Sequence, residues 1–270
     1  MKQFLKLVAA NVLALAIFCG VGFFGLIFLL VSASFGSKQP LVSIKSGSVL
    51  VLDLTANISD APPESALDRA LGKIVGRPSA PNYYLLELTD AIDRAARDKR
   101  ISAIYLHGSL ISENYGSGVA ALAEVRRAMS RFREAGKPVY AYSVSPTQKD
   151  YYLMSVADEV VMNPFGDLAL VGLAAKSPFI ADALERMGVG IQVTKAGKYK
   201  SALDMFTRES ISQADREQLT ALLGGIWLSM IGEIASSRGL EVATVQNLSA
   251  EEGLLLPDAA LDAKLIDRVA

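Results

Sequence analysis

Apolar residues in this chain occur in two kinds of run, short compact ones typical of buried strands and longer ones with helical spacing. After an apolar N-terminal run from Leu7 to Val31, the body begins with the compact run Ser48–Leu54. Such an unbroken run predicts a strand that is covered on both faces. From residue 85 onward the pattern switches repeatedly between helical and strand periods.

The alternating periods predict the order of elements. Helices are predicted at 85–95, 119–132, 150–156, 179–187 and 214–237, and strands at 101–106, 138–142, 159–162 and 190–193. A short helix is also predicted at Ser65–Ile74, inside an irregular stretch. Strands that alternate with such helices pair in parallel through right-handed crossovers, so the sequence predicts an α/β domain. Its active residues are expected at strand ends and in the loops that follow them.

The N-terminal apolar run points to a membrane. It exceeds the roughly 20 residues that span a bilayer, whereas the apolar part of a signal peptide covers about 7 to 15 residues. We therefore favour an N-terminal transmembrane helix, with residues 1–34 as anchor and 35–47 as linker, over a cleaved signal peptide ending near Ser34. Lys2 and Lys6 favour a cytoplasmic N-terminus and an extracytoplasmic body, a bias that the basic residues after the run weaken.

Composition narrows the function classes. The chain has 270 residues, 51% of them hydrophobic, and a net charge of −1, which suits a sizeable core and gives no support for nucleic-acid binding. It has one cysteine, Cys19, and one histidine, His107, too few for a disulfide within the chain or a zinc cluster. No glycine-rich nucleotide motif follows the first strand. We therefore expect neither a metal nor a cofactor.

A lysine carries the main candidate chemistry. Lys200 lies among small and apolar residues in the segment Gly197–Ala202. Burial disfavours the ammonium form, so a lysine in such a setting can act as a general base near neutral pH. From spacing alone, the competing interpretation is a surface lysine near a strand end.

No serine in the chain stands out as the partner of this lysine. Ser117 lies between Gly116 and Gly118 but lacks the GxSxG spacing, so a helix-entry loop is the simpler interpretation. A Ser-His-Asp triad would require His107, at the end of the strand predicted at 101–106, and the chain offers it no recognisable nucleophile turn.

Several spaced motifs resemble one peptidase family. They are Tyr151–Pro164, then Gly166 and Gly172, then Gly197–Ala202, Asp215–Glu217 and the closing Leu261–Asp267. In this order they resemble the signal peptide peptidase A (protease IV) family, and more narrowly the first half of its long, two-repeat form. The resemblance covers about Ser48 to Val269.

The resemblance implies a fold and an activity. The fold is a Clp/crotonase-like domain of repeated β-β-α units over residues 48–270. The activity is that of a membrane-anchored serine endopeptidase with a Ser/Lys dyad, which degrades cleaved signal peptides at the inner membrane with its body on the periplasmic side. Lys200 matches the general-base lysine of the family. Gly116 and Gly118 fall where relatives place N–H groups for the oxyanion, although the usual Gly-Gly pair is not intact. Ser201 is a candidate to support the amine by a hydrogen bond, or to act as an N-cap.

The nucleophile is where the chain departs from single-repeat relatives. Those have Ser-Gly-Gly before the tyrosine pair, whereas this chain has Gln148, Lys149 and Asp150 before Tyr151. In the long form the first repeat contributes the lysine and the second contributes the serine. The resemblance therefore implies that the serine is supplied from outside this chain, by a second repeat or a neighbouring subunit. We expect an inactive isolated chain, either a partial product or one half of an assembly, and a homo-oligomer.

Two other functions stay open at this point. One is a non-catalytic binding or regulatory subunit of the same fold, and the other is an acyl-CoA enzyme of the wider crotonase fold. The apolar leader and the lack of an acidic pair in the glycine loops argue against the second of these.

Overall fold

The structure is a computed structural model that describes residues 2–35, 43–60, 82–110 and 117–270. It divides into two compact units. The described part of the first comprises 2–35 and 43–44, and that of the second comprises 45–60, 82–110 and 117–270. The helix predicted at Ser65–Ile74 lies outside the described residues.

Among its described residues, the first unit has one long helix, α1 (Lys2–Phe35), as the N-terminal apolar run predicts. With 34 residues at about 1.5 Å each it is roughly 50 Å long, which exceeds the ~30 Å hydrocarbon core of a bilayer. Its described side chains are almost all exposed, including Phe18 at 77% and Phe24 at 71%.

The second unit is built on a parallel sheet with the strand order β1-β4-β5-β6-β9. These strands are β1 (Ser48–Asp53), β4 (Ile101–His107), β5 (Val139–Ser143), β6 (Glu159–Met162) and β9 (Arg268–Val269). Two short pairs accompany the sheet. β2 (Asn57–Ser59) runs parallel to β3 (Asn82–Tyr84), and β7 (Leu168–Ala169) runs antiparallel to β8 (Leu254–Leu255).

Helices fill the connections between the strands. They are α2 (Leu85–Arg97), α3 (Val119–Glu134), α4 (Gln148–Met154), α5 (Ala181–Arg186), α6 (Asp204–Thr207), α7 (Gln213–Arg238), α8 (Val242–Glu251) and α9 (Pro257–Asp262). One face of the sheet, with Ile104 and Leu106, forms a continuous core with Leu122 and Phe132 of α3 and Tyr151 of α4. The predicted mixed α/β fold with a parallel sheet is therefore confirmed.

The prediction that the first strand is covered on both faces is wrong. Leu52 is buried, but Val49 and Val51 on the opposite face are 47% and 54% exposed. This face continues across Tyr140 to Val161 of β6 as an open groove of about 690 Å³. The reason is that the described core packs against one side of the sheet. The compact apolar run Ser48–Leu54 therefore forms a strand with one buried and one exposed face.

α7 is long and apolar enough to cross a membrane by length and composition. Its C-terminal half nevertheless belongs to the protein core, because Trp227, Met230, Ile231 and Ile234 are all buried. The N-terminal half is mostly exposed, with Leu222 at 58%. We therefore assign α7 to the body, where the sequence predicts a helix at 214–237.

Candidate active site

The lysine segment follows α5 and runs from Val189 to Leu203. It contains no regular strand, so the strand predicted at Gly190–Val193 is wrong. A strand requires a neighbour, and the apolar side chains of this segment, including Val189 and Ile191, are exposed instead of packed. Gly197 turns the chain just before the motif lysine with a φ of +91°, a conformation that favours glycine.

Three lysines lie within this segment, and each has a different environment. The ammonium of Lys195 is 2.6 Å from the carboxylate of Asp204, which is buried. The ammonium of Lys198 lies 4.5 Å from the ring centroid of Tyr199, and a side-chain hydrogen bond with the Tyr199 hydroxyl raises the pKa of Lys198. The amines of Lys195 and Lys198 thus each have a partner within the chain.

Lys200 differs from both. Its side chain is exposed, and within the described residues its amine has no hydrogen bond, ion pair or ring contact. The expectation that small and apolar neighbours bury this amine is not met within the single chain. The geometry instead presents an amine outward from the surface of the chain.

The backbone around Lys200 is fixed by the first turns of α7. The Ser201 hydroxyl donates to Oδ1 of Asp215 at 2.8 Å, and Nε2 of Gln218 donates to the Tyr199 carbonyl at 3.2 Å. Ser201 therefore supports the loop and not the amine of Lys200. It is also not an N-cap, since Leu203 occupies that position of α6.

The residues that replace Ser-Gly-Gly occupy the first turn of α4. Thr147 caps this helix in a capping box with Asp150, whose carboxylate also accepts hydrogen bonds from the Ser109 hydroxyl at 2.6 Å and the Leu110 N–H at 2.7 Å. The buried Asp150 thus joins this turn to the loop after β4. The Leu110 N–H is consequently committed and is not available to an oxyanion.

Gln148 is the residue that the family resemblance aligns with the nucleophile of single-repeat relatives. Its side-chain amide binds the backbone of Gly172 at two points, accepting from the N–H at 2.9 Å and donating to the carbonyl at 3.1 Å. Lys149 donates to the Ser117 carbonyl at 2.8 Å. The first turn of α4 is therefore closed by internal contacts and offers no hydroxyl at this position.

Of the two glycines predicted to serve the oxyanion, Gly116 lies outside the described residues. Gly118 is the N-cap of α3, and Ser117 between them is buried with its hydroxyl accepting from the Ile58 N–H at 2.8 Å. Ser117 is thus a structural residue, as the helix-entry interpretation predicts. Lys149 links this loop to α4, but no hydrogen bond among the described residues links either to the lysine segment.

His107 gives no support to a catalytic triad. Its ring stacks on Tyr105 with a centroid distance of 5.5 Å, and it lies opposite Asp53 in the register of β1 and β4. In the part of the chain that the structure describes, no serine hydroxyl hydrogen-bonds this imidazole.

Two grooves in the described part of the body lie elsewhere. One is the open sheet face, and the other, of about 360 Å³, lies beside β1 and α2 with Tyr83 and Leu88 in its lining. Neither is lined by the lysine segment. Among the described residues, the candidate site is therefore a presented side chain and not part of either groove.

Sequence reasoning missed several residues that shape this site. Gln148, Asp204 and Gln218 carry no motif signal, because their roles depend on partners between 9 and 24 positions away. Asp215 belongs to a motif of the family resemblance, and Ser212 three positions earlier is the N-cap of α7. That spacing indicates a helix start, but not a contact with the lysine segment.

A family model described as "Peptidase family S49" matches residues 131–270, just over half of the chain. The chain belongs to peptidase family S49. The matched region contains α4, the lysine segment and α7. Of the elements of the candidate site, only the loop before α3, which contains Gly118, lies outside it.

Two bacterial relatives carry the name "Protease 4". The chain is 28% identical over 224 residues to that of Haemophilus influenzae, covering 82% of this chain and 35% of the relative. It is 28% identical over 232 residues to that of Salmonella typhi, covering 82% and 37%.

A plant relative, "Serine protease SPPA, chloroplastic" of Arabidopsis thaliana, is 30% identical over 208 residues, with coverages of 77% and 28%. The chain thus spans about a third of the length of these relatives. The resemblance to the signal peptide peptidase A family is confirmed, and it is a resemblance to serine proteases.

Among solved structures, the membrane-bound stomatin-specific protease 1510-N covers 83% of this chain and 80% of its own, with 14% identity and a TM-score of 0.44. We draw nothing from a likeness at that level.

Proposed function

We propose that this chain is the lysine-bearing part of a membrane-anchored serine endopeptidase that degrades cleaved signal peptides. Lys200 is the general base, and the nucleophilic serine comes from a second repeat or a neighbouring subunit, as in a homo-oligomer. The observation that carries the proposal is the contrast within one segment of an S49 chain. Lys195 and Lys198 are held by partners, whereas Lys200 has no partner among the described residues and is presented from a fixed loop.

In the proposed reaction, Lys200 accepts and then returns one proton in each of the two steps. The serine hydroxyl gives its proton to the neutral Nζ as its oxygen bonds to the scissile carbonyl carbon. The resulting ammonium returns that proton to the leaving amine when the C–N bond breaks. Water then attacks the acyl-serine with Lys200 again as the base, and release of the acid regenerates the serine hydroxyl.

Exposure of Lys200 explains why a partner is required. Burial favours the neutral form of a lysine, and Lys200 is exposed within this chain, so the surface that covers it has to come from a partner. The chain that leads into the lysine segment suits such a surface, because α5 has no buried residue and Met187 and Val189, which follow α5, are 68% and 47% exposed. Gln148 supports the same conclusion, since it occupies the nucleophile position with an amide.

Membrane attachment is supported by α1. Its length and exposed apolar side chains suit a bilayer span, and Lys2 and Lys6 at its start suit a cytoplasmic N-terminus with the body on the periplasmic side of the inner membrane. An anchor of this kind holds the lysine segment close to signal peptides that remain in the membrane. The apolar core of those peptides would bind an apolar groove completed by the Clp/crotonase-like partner domain.

The test is reconstitution. The purified chain is assayed by initial rates on a chromogenic peptide, alone and mixed with a second S49 chain that carries the Ser-Gly-Gly-Tyr turn. We expect no hydrolysis by the chain alone, hydrolysis in the mixture, and its loss with Lys200→Ala. Lys198→Ala is the matched control and should retain activity. Robust hydrolysis by the chain alone, or equal loss with both variants, would contradict the proposal.

A non-catalytic subunit of the same fold is the second candidate function. The closed first turn of α4 and the exposed Lys200 favour it, because neither forms a complete site in this chain. In that case the mixture is active but indifferent to Lys200→Ala.

A further inference from the structure

The loop that carries Lys200 is fixed at its base and on both sides of the lysine. At the base, the ion pair between Lys195 and the buried Asp204 closes residues 195–204 into a loop. On either side of Lys200, the Ser201 hydroxyl and the Tyr199 carbonyl are bound by Asp215 and Gln218 of α7. An exposed lysine with no partner of its own therefore stands on a backbone held at three points.

We propose that Asp215, assisted by Gln218, is a positioning residue that sets the direction in which Lys200 is presented to the site. This inference rests on the proposed function of Lys200 as general base. A general base must lie within hydrogen-bond reach of the proton that it abstracts, so a change in loop direction lowers the rate without removing any reacting group.

Helix capping does not account for the carboxylate of Asp215. The backbone N–H of Asp215 already donates to the hydroxyl of the N-cap residue Ser212 at 3.2 Å. The carboxylate is turned to Ser201 instead. An acidic residue in a first turn also interacts favourably with the helix dipole. Substitution separates this role from the contact with Ser201, because the dipole interaction requires the negative charge whereas the Ser201 hydroxyl requires only a hydrogen-bond acceptor.

Three variants separate these roles. Asp215→Asn keeps an oxygen acceptor for the Ser201 hydroxyl and loses the charge, whereas Asp215→Leu loses both. Ser201→Ala removes the same hydrogen bond from the other side. Asp182→Leu is the matched control, since Asp182 is also a first-turn acid, in α5, and pairs with the exposed Arg186.

The first measurement is amide hydrogen exchange on the full chain without any partner. The Asp204 N–H donates to the Ser201 carbonyl at 2.8 Å and reports opening of the loop. In Asp215→Leu and Ser201→Ala we expect it to exchange about tenfold faster, the factor for loss of one ordinary hydrogen bond. Asp215→Asn and Asp182→Leu should match wild type. The fluorescence of Trp227, in the buried half of α7, reports whether each variant is folded.

The second measurement is the rate in the reconstituted mixture. We expect Asp215→Leu to lower kcat about tenfold with KM within about twofold, because substrate contacts are unchanged while the base is misdirected. Asp215→Asn should restore most of kcat. Equal defects in Asn and Leu variants would assign the effect to the dipole and overturn the inference.

The inference and the proposed function fail separately. Unchanged exchange in Asp215→Leu overturns the inference whatever the activity. If the mixture is equally active with wild-type chain and with Lys200→Ala, the proposed function is overturned, and with it any positioning role.

Discussion

Replacing Arg126 with alanine is predicted to destabilise the body of the protein by about 3 kcal/mol. Arg126 lies on α3 with 5% of its side chain exposed, and its guanidinium joins three helices. It donates to the Tyr152 carbonyl and the Ser155 hydroxyl of the α4 region, and to the Glu233 carbonyl and Ser237 hydroxyl of α7.

The magnitude follows from what the substitution leaves behind. Removing one partner of a buried ion pair costs about 3 to 5 kcal/mol. Nε of Arg126 is 3.2 Å from the Glu233 carboxylate, but that side chain is 40% exposed and water can replace part of the contact. The Tyr152 carbonyl also keeps a bond from the Ser155 hydroxyl. We therefore expect the lower end of the range.

Urea unfolding followed by Trp227 fluorescence measures this effect. Trp227 is the single tryptophan and is buried in α7, so its signal reports the body and not α1. With a slope of about 2 kcal/mol per M, the midpoint should fall by about 1.5 M. Arg126→Lys keeps the charge without the planar fork and should recover less than half of the loss.

Arg127→Ala is the control on the same helix. Arg127 and its partner Glu124 are 59% and 51% exposed, so the loss should stay below about 1 kcal/mol. If Arg126→Ala and Arg127→Ala shift the midpoint equally, the guanidinium does not hold the helices together as argued.

Two further predictions concern Gly166 and Asp267. Gly166→Ala places a methyl group 1.5 Å from the Val144 carbonyl oxygen and should lower the free energy of unfolding by about 2 kcal/mol or more. The control is Gly225→Ala, which lies in open space on α7 and should stabilise the fold by about 0.5 to 1 kcal/mol. Equal urea midpoints for the two variants would refute the steric argument. Desolvation alone would raise the pKa of Asp267, but hydrogen bonds from Arg238 and a backbone N–H outweigh it and lower this pKa. A lowered pKa adds stability that is present above the unfolded pKa of about 3.9 and is lost as pH falls through the folded pKa. Wild type should therefore be more stable than Asp267→Asn at pH 7, and the difference in urea midpoint should shrink as pH falls below about 4; a difference that does not shrink with acid would contradict this.

The sequence predicts those elements whose pattern is local. The helix predicted at 119–132 appears as α3, because helical spacing of apolar residues is sufficient to bury one face against a sheet. The strand predicted at Gly190–Val193 does not form, since a strand needs a partner that this segment lacks among the described residues. β9 was not anticipated, because two residues gain strand character only by pairing with β6, more than 100 positions earlier.

The candidate site also combines features that the sequence predicts with features that depend on tertiary contacts. The prediction that Lys200 belongs to the site comes from the family resemblance of the surrounding motif alone. Its exposure, and the hold of Asp215 and Gln218 on its neighbours, arise from α7 folding back over a loop 14 to 19 positions earlier. Periodicity contains no information about such a contact.

The two hydrogen bonds between Gln148 and Gly172 bear on any attempt to convert this chain into a self-sufficient enzyme. A serine at position 148 would supply the hydroxyl that the position lacks, yet it is too short to hold both the N–H and the carbonyl of Gly172. Engineering the nucleophile here therefore also requires a new support for the segment after β7. Under the proposed division of labour between two halves, moving the nucleophile into this one therefore takes more than one codon.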